Sequence, residues 1–522
     1  MRQVTLDGDV NMQQEGLSVA SQTLALAFDP TVARASTQPS DAAGADINID
    51  LNSLRNVIAT GDVRATGLGK GPDDSLSTGR LELGVGPSDV GPAIETMVCS
   101  DGAKFVSKGR SLSATNVEAK LKPIPLDRNA QQTPASDDPL DQILSMNATG
   151  NVVLDQGAKG SSKSDRLTIG DVDGQRIITL IGAPAVASGE RGTLSSERIE
   201  LNPVTGNLRV PQAGGFTGSQ VRADGSKRDV QMNWTGYMTA SSRDGVATIS
   251  QGVTMRSRDD AGATLDATAG KAIVRFTAEP PSTQPSTTGQ VDPTDAFKIQ
   301  SLETVDLFDD VKAHADGGDK RTAVIEAPHV HYDDLSRDVT IDAEGRMLVS
   351  DLRDAPATKP ATGGGAFSRG TLALTWKKGL NWNARDGDLT ATGGVRLGFE
   401  RASDPDDLGV VRLSADRMIG RLRPVNDTAK KPDANANMLD SVVLESMRFD
   451  GDVRVRSNKV SFDAARIDYD APSGIATATA HENERVEFYL KDGVSKVAVS
   501  SLKWNVVTGT TELKDFDGRL VR

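Results

Sequence analysis

Apolar and polar residues alternate along many stretches of this chain, and a short glycine pattern recurs within them. The pattern is a small or acidic residue, glycine, any residue, then an aliphatic residue. Copies begin at Leu6, Ala59, Ala148, Ala391, Phe449 and Phe516, and looser copies begin at Ser250 and Leu307. Strict alternation predicts strands that bury one face. A glycine inside a strand indicates a bulge, a bend or a close backbone approach.

A second strand pattern lies between these copies, in which a basic residue precedes two aliphatic residues spaced by one. It occurs at Arg80–Leu83, Arg166–Ile169, Arg198–Leu201, Lys271–Val274, His329–Tyr332 and Arg466–Tyr469. No comparable stretch has the periodicity of an amphipathic helix. The patterns predict an all-β fold: an elongated open jelly-roll or β-solenoid of repeated antiparallel strands in two facing sheets, with little helix.

Segments rich in Pro, Thr, Ser, Ala, Gln and Asp interrupt the strand patterns and predict loops or linkers. They are a disordered insertion near 30–46 and the segments 122–141, 279–296, 353–366 and 423–440. The predicted strand modules between them are 1–121, 142–278, 297–422 and 441–522. Long loops are favoured over linkers, because the same strand patterns resume on both sides.

The charge, the cysteine content and the lengths of the apolar segments argue against several classes of protein. The net charge of −13 and the absence of long basic runs predict no nucleic-acid partner. Cys99 is the only cysteine, so it cannot form an internal disulfide, and we expect it to pack as a small apolar residue. No apolar segment has the length of a membrane-spanning helix.

The sequence contains no pattern of residues that predicts catalysis, so we expect a protein that is not an enzyme and has no cofactor. His329 and His331 share one face of a predicted strand, with His314 upstream; a metal site is one interpretation, and His329 in a basic slot of the repeat is the other. We favour the second and expect no metal. Trp234, Trp376 and Trp504 are interpreted as packing residues rather than sugar platforms.

Two strings of the chain resemble the OstA-like (organic solvent tolerance) family, which includes the periplasmic lipopolysaccharide-transport proteins. They are Ala148–Gly157, with the order Thr-Gly-Asn-Val, and Ile181–Val186, with Gly-x-Pro. Residues 142–215 carry the family's order of patterns once, and 446–491 carry most of it again. The chain is longer than the usual single-module bridge protein and ends without the barrel of the outer-membrane receptor.

The resemblance implies a cell-envelope lipid transport or bridge protein. Acyl chains of lipid or lipopolysaccharide would lie in an apolar groove between two sheets, and molecules would associate head to tail or with other jelly-roll transport proteins through edge strands. It also implies a periplasmic location, so we expect an exported product although Met1–Ala20 contains no apolar leader segment. The alternative is a structural or adhesive envelope solenoid with a closed core.

Strand alternation predicts which residues face the groove. The predicted groove residues are Val10, Met12, Val63, Val152, Leu154, Val395, Leu397, Val453 and Val455. The neighbours predicted to face water are Asp9, Asp62, Asn151, Arg396, Asp452 and Arg454.

Overall fold

The computed structural model describes the strand-rich parts of the chain. The described residues are 2–14, 17–29, 53–66, 74–88, 91–107, 109–125, 143–157, 160–189, 192–221, 227–260, 262–277, 302–317, 320–352, 370–383, 386–402, 409–424, 442–490, 495–515 and 520–521. Strands dominate these residues, and no α-helix occurs among them. The all-β prediction is confirmed.

Long strands follow one another in the first part of the chain. They are β1 (Arg2–Gln14), β2 (Leu17–Phe28), β3 (Leu54–Thr66), β4 (Ser75–Ser88), β5 (Gly91–Ser100), β6 (Ala103–Ser107), β7 (Arg110–Ala114), β8 (Asn116–Pro125), β9 (Ile143–Asp155), β10 (Ser161–Val172), β11 (Gln175–Gly189), β12 (Gly192–Asn202), β13 (Asn207–Val210), β14 (Gly214–Val221), β15 (Lys227–Trp234) and β16 (Met238–Ser241).

The same organisation continues to the end of the described residues. The strands are β17 (Val246–Asp259), β18 (Thr264–Phe276), β19 (Leu302–Asp316), β20 (Arg321–Asp333), β21 (Val339–Ile341), β22 (Gly345–Asp351), β23 (Gly370–Trp376), β24 (Gly379–Asn383), β25 (Asp388–Arg401), β26 (Val411–Pro424), β27 (Val442–Arg456), β28 (Ser461–Asp470), β29 (Ile475–Thr479), β30 (Val486–Tyr489), β31 (Lys496–Val499), β32 (Ser501–Asn505), β33 (Thr511–Lys514) and β34 (Leu520–Val521).

The described strands belong to two compact units. The first includes Met1–Phe216 and Tyr237–Gly245, and the second includes Thr217–Gly236, Val246–Thr277 and Gln300–Arg522. The predicted loops lie largely outside the described residues, but each joins two strands that pair with each other: β2–β3, β8–β9, β18–β19, β22–β23 and β26–β27. Sheet pairing therefore continues across these segments. The division into four modules stays a prediction.

Each glycine pattern in the described residues lies at a two-residue β-bulge. At Gly61–Asp62, Gly150–Asn151 and Gly451–Asp452, two residues face one residue of the next strand, and both have φ between 42° and 80°. Glycine adopts positive φ freely, and Asp and Asn tolerate it better than most side chains. Further bulges lie at Gly8–Asp9, Gln251–Gly252, Asp309–Asp310 and Gly393–Gly394. The copy at Phe516 lies outside the described residues.

In the strand opposite a bulge, the alternation of buried and exposed residues shifts by one residue. The shift occurs because one residue of that strand faces two residues of the bulge. In β4, Leu76 and Thr78 are buried on one side of Gly79, whereas Leu81 and Leu83 are buried on the other. The basic residue of the second sequence pattern lies at this phase change. Its equivalents are Arg166, Arg198, Lys271, His329 and Arg466.

Two layers of sheet face each other across the core of the second unit. Phe462 lies in the first segment of β28, before its phase change. The second segment of β28 pairs with β29, and β29 pairs with β32, which carries Trp504. Their rings meet edge to face, with 6.2 Å between centroids and 77° between planes. The two segments of β28 thus lie in different layers.

Candidate functional site

The predicted groove residues are buried to different extents. Six have at most 3 % of their surface exposed: Val63, Val152, Val395, Leu397, Val453 and Val455. Three are half-buried: Val10, Met12 and Leu154. The protein's own side chains cover the first group, so a lipid reaches those six residues only if the surrounding side chains or sheets move. Their contact with lipid stays a prediction.

The polar neighbours of these residues face water. The exposed set consists of Asp9, Asp62, Asn151, Arg396, Asp452 and Arg454. Burial therefore follows the predicted alternation. A register slip of one residue would exchange the two sets and bury charged groups, which costs more than the aliphatic residues return.

An apolar cavity of ≈ 50 Å³ lies between β9, β10, β11 and β12 in the first unit. Two cross-strand pairs of β11 and β12, Ile178–Leu201 and Leu180–Ile199, form one wall. Leu154 and Ala187 lie on the opposite wall. Both are cross-strand partners of Ser162, which lies between them on β10. Of the predicted groove residues, the structure brings only Leu154 to this cavity.

A bend in β11 allows both of its segments to line the cavity. The register changes between Ile181 and Ala185, where Gly182, Ala183 and Pro184 face a single residue of β12. A Cβ atom at Gly182 would lie 3.0 Å from the nitrogen of Ala185 and 3.1 Å from the carbonyl of Pro184, so a side chain there would crowd the backbone. The Gly-x-Pro string therefore creates the bend that turns the two segments toward each other.

Sequence reasoning missed four wall residues of the cavity. Ile199 and Leu201 belong to the second strand pattern, which was recognised as a strand but not assigned to a site. Ile178 and Leu180 lie just before the Gly-x-Pro string and are spaced by one residue, as Ile199 and Leu201 are. The available signal was that all four aliphatics alternate toward one face next to the bend.

Four polar residues border the cavity but expose almost no polar surface to it, and one of them has an atom without a hydrogen-bond partner. Ser161, Ser162 and Ser188 lie there with Gln156. The Gln156 side chain is 6 % exposed, and its Oε1 accepts no hydrogen bond from the described residues. Leaving such an acceptor unpaired costs about 1–3 kcal/mol. The cavity surface is thus almost entirely apolar, and the unpaired Gln156 oxygen is buried beside it.

A histidine and carboxylate cluster lies on β19 and β20 of the second unit. His331 Nδ1 is 2.7 Å from Asp306 Oδ1, and His329 Nε2 is 3.4 Å from the same oxygen. The His329 ring also stacks on Phe308, with 4.4 Å between centroids. In the described ranges, no group of three or more His, Cys, Asp or Glu side chains is placed to hold a metal ion.

The three tryptophans and Cys99 pack in the protein interior. Trp234, Trp376 and Trp504 are at most 3 % exposed, so their faces are covered by protein. Cys99 is fully buried between Leu81 and Val117 on the neighbouring strands. Burial raises the pKa of the Cys99 thiol to about 12.

Among the residues that the structure describes, no helix combines the length and apolar character needed to cross a membrane. Comparison of the chain with models of protein families finds no match, and a search among curated proteins finds none either.

Proposed function

We propose that this protein binds the acyl chains of amphipathic lipids in the cell envelope and takes part in their transport without catalysis. The observation that carries the proposal is the cavity between β9, β10, β11 and β12, whose surface is almost entirely apolar. The OstA-like strand order of residues 142–215, which contain this cavity, supports the same assignment.

Burial of methylene groups would drive the binding. Each CH₂ moved from water into an apolar site contributes about 0.8 kcal/mol. A cavity of ≈ 50 Å³ accommodates only a short part of an acyl chain, so a longer chain requires the two segments of β11 to move apart. Leu154 is half-buried at this site, which makes its surroundings the proposed point of entry.

A photoactivatable fatty acid tests the proposal directly. The purified protein is irradiated with a diazirine-bearing fatty acid, and the modified peptides are identified by mass spectrometry. We expect labelling of peptides that contain Leu154, Ile178–Leu180 and Ile199–Leu201. Leu154→Trp should reduce the labelling because its ring fills the cavity, whereas Val153→Trp, on the other face of β9, should leave it unchanged.

A structural or adhesive protein with a closed core is the second candidate. Complete burial of Val453, Val455 and Phe462 favours it, because these side chains are covered without any lipid. Labelling that is absent, or equal in the Leu154→Trp and Val153→Trp variants, would contradict lipid binding in the cavity and favour this candidate.

A further inference from the structure

Three arginines on the outer face of the second unit have no acidic partner. Arg396 on β25, Arg412 on β26 and Arg454 on β27 are exposed, and none forms a hydrogen bond or ion pair with any described residue. Three other outward arginines are paired: Arg256 with Asp266, Arg346 with Glu326 and Arg448 with Asp468. The three unpaired arginines are called the arginine triad below.

Strand register brings the arginine triad around one serine. Ser414 on β26 faces Arg396 on one neighbouring strand and Arg454 on the other. Arg412 lies two residues from Ser414, on the same face of β26. Adjacent strands are about 4.8 Å apart, and diagonal neighbours are within reach of long side chains. All three guanidinium groups can therefore approach the half-buried Ser414 hydroxyl.

Two acidic residues beside the triad, Asp463 and Glu400, do not neutralise it. Asp463 faces Arg454, but its Oδ1 is 2.6 Å from Arg456 Nη1, and its Oδ2 accepts a hydrogen bond of 2.9 Å from the Tyr489 hydroxyl. Glu400 lies on the outer face of β25, two residues beyond Gly398, which faces Arg412. Within the described part of the chain, Glu400 forms no ion pair with Arg412 or any other residue.

We propose that the arginine triad and Ser414 form a binding site for a phosphate group. Like charges on neighbouring strands are unfavourable, and an anion between them removes this cost. Guanidinium groups match phosphate by paired N–H donors, and three of them supply donors for all terminal oxygens of a phosphomonoester. The Ser414 hydroxyl adds a donor at the centre. This site does not depend on the acyl-chain cavity, which lies in the first unit.

Two binding measurements distinguish a soluble from a membrane source of the phosphate. Titration calorimetry with inorganic pyrophosphate measures binding of the soluble anion. Cosedimentation with vesicles of phosphatidic acid in phosphatidylcholine, against pure phosphatidylcholine, measures binding to a lipid phosphomonoester. Removing the triad with Arg396→Gln, Arg412→Gln and Arg454→Gln together should weaken whichever binding is present at least about tenfold, the equivalent of about 1.4 kcal/mol.

The matched control changes three paired arginines, Arg256→Gln, Arg346→Gln and Arg448→Gln, and alters the net charge equally. It should change the affinity by less than about twofold, because these three arginines are already paired with carboxylates and lie outside the triad. Ser414→Asp, which retains the triad and places a carboxylate at its centre, should also abolish binding. Circular dichroism verifies that each variant is folded. Binding of neither ligand by the unaltered protein, or equal weakening in the triad and control variants, would overturn the proposal.

Discussion

At Gly150 the backbone and a neighbouring side chain together exclude any residue larger than glycine. Its φ is +78°, and an added Cβ would overlap the side chain of Thr115, whose hydroxyl donates to the Gly150 carbonyl at 3.1 Å. We expect Gly150→Ala to lower the free energy of unfolding by about 1–3 kcal/mol. Gly170 offers the control, because nothing lies within 4 Å of its added Cβ. Denaturant unfolding of both variants checks this, and equal stability would contradict the bulge geometry.

Burial of Cys99 predicts an unreactive thiol. The thiolate is the nucleophile, and a pKa of about 12 leaves almost none of it at pH 8. We expect negligible alkylation of the native protein by iodoacetamide and complete alkylation after denaturation. Ser77→Cys places a second thiol on the exposed face of the neighbouring strand β4 and should react rapidly. Native labelling of Cys99 at the rate of this control would show that the surrounding core opens readily.

At the scale of the strand, the alternation of buried and exposed residues was predictable from the sequence. Which residues become neighbours on adjacent strands was not. The glycine pattern marks the bulges because few residues other than glycine, Asp and Asn tolerate positive φ. The phase change at Arg80 is a property of the strand opposite the bulge, so it requires knowledge of strand pairing. The arginine triad has the same origin: its members are far apart in sequence and become neighbours only through the register of β25, β26 and β27.

The cavity in the first unit was partly predictable for a related reason. Leu154 follows from the alternation of β9, whereas the Gly-x-Pro string at Gly182–Pro184 was used only for the family resemblance. Which aliphatic residues face Leu154 depends on how far β11 bends and on its pairing with β12. Those quantities are set by packing across the two layers rather than by the local pattern.

Arg448 on β27 and Asp468 and Arg466 on β28 form a row of alternating charges, called the charged ladder. It predicts that the free energy of unfolding depends on pH. Partial burial alone would raise the pKa of Asp468, but hydrogen bonds from Arg466, at 2.7 Å, and Arg448, at 2.8 Å, outweigh it and lower that pKa. A lowered folded-state pKa contributes stability that is fully present above the unfolded value of about 3.9. The contribution is lost as pH falls through the folded-state pKa.

Asp468→Asn tests this ladder. At pH 7 it should lower the free energy of unfolding by about 0.2–1 kcal/mol, a small effect because the ladder is partly exposed to solvent. The difference from the unaltered protein should shrink as pH falls below about 4. Denaturant titrations at pH 7, 4 and 2.5 measure it, with the exposed Glu482→Gln as control. A difference that stays constant with pH would show that Asp468 acts through packing instead.

At the scale of the whole molecule, the outer edge of β1 predicts self-association. This strand has 13 residues and pairs with β2, and no other described strand lies against it. Unpaired N–H and C=O groups of an edge strand are a template for another strand. β1 contains neither Lys nor Pro, and its protection consists of the bulge at Gly8–Asp9 and the exposed Asp7. The expected partner is an edge strand of a second copy or of another jelly-roll protein.

Sedimentation velocity over a range of protein concentrations measures this association. Val4→Pro and Thr5→Pro remove successive N–H donors of β1, and successive donors point to opposite edges of a strand. One variant therefore removes a donor from the outer edge and should abolish association while keeping the β1–β2 ladder; the other should weaken that ladder instead. A strict monomer at every concentration, together with no crosslinking of β1 to an envelope protein, would contradict assembly through this edge and would show that water satisfies its backbone groups.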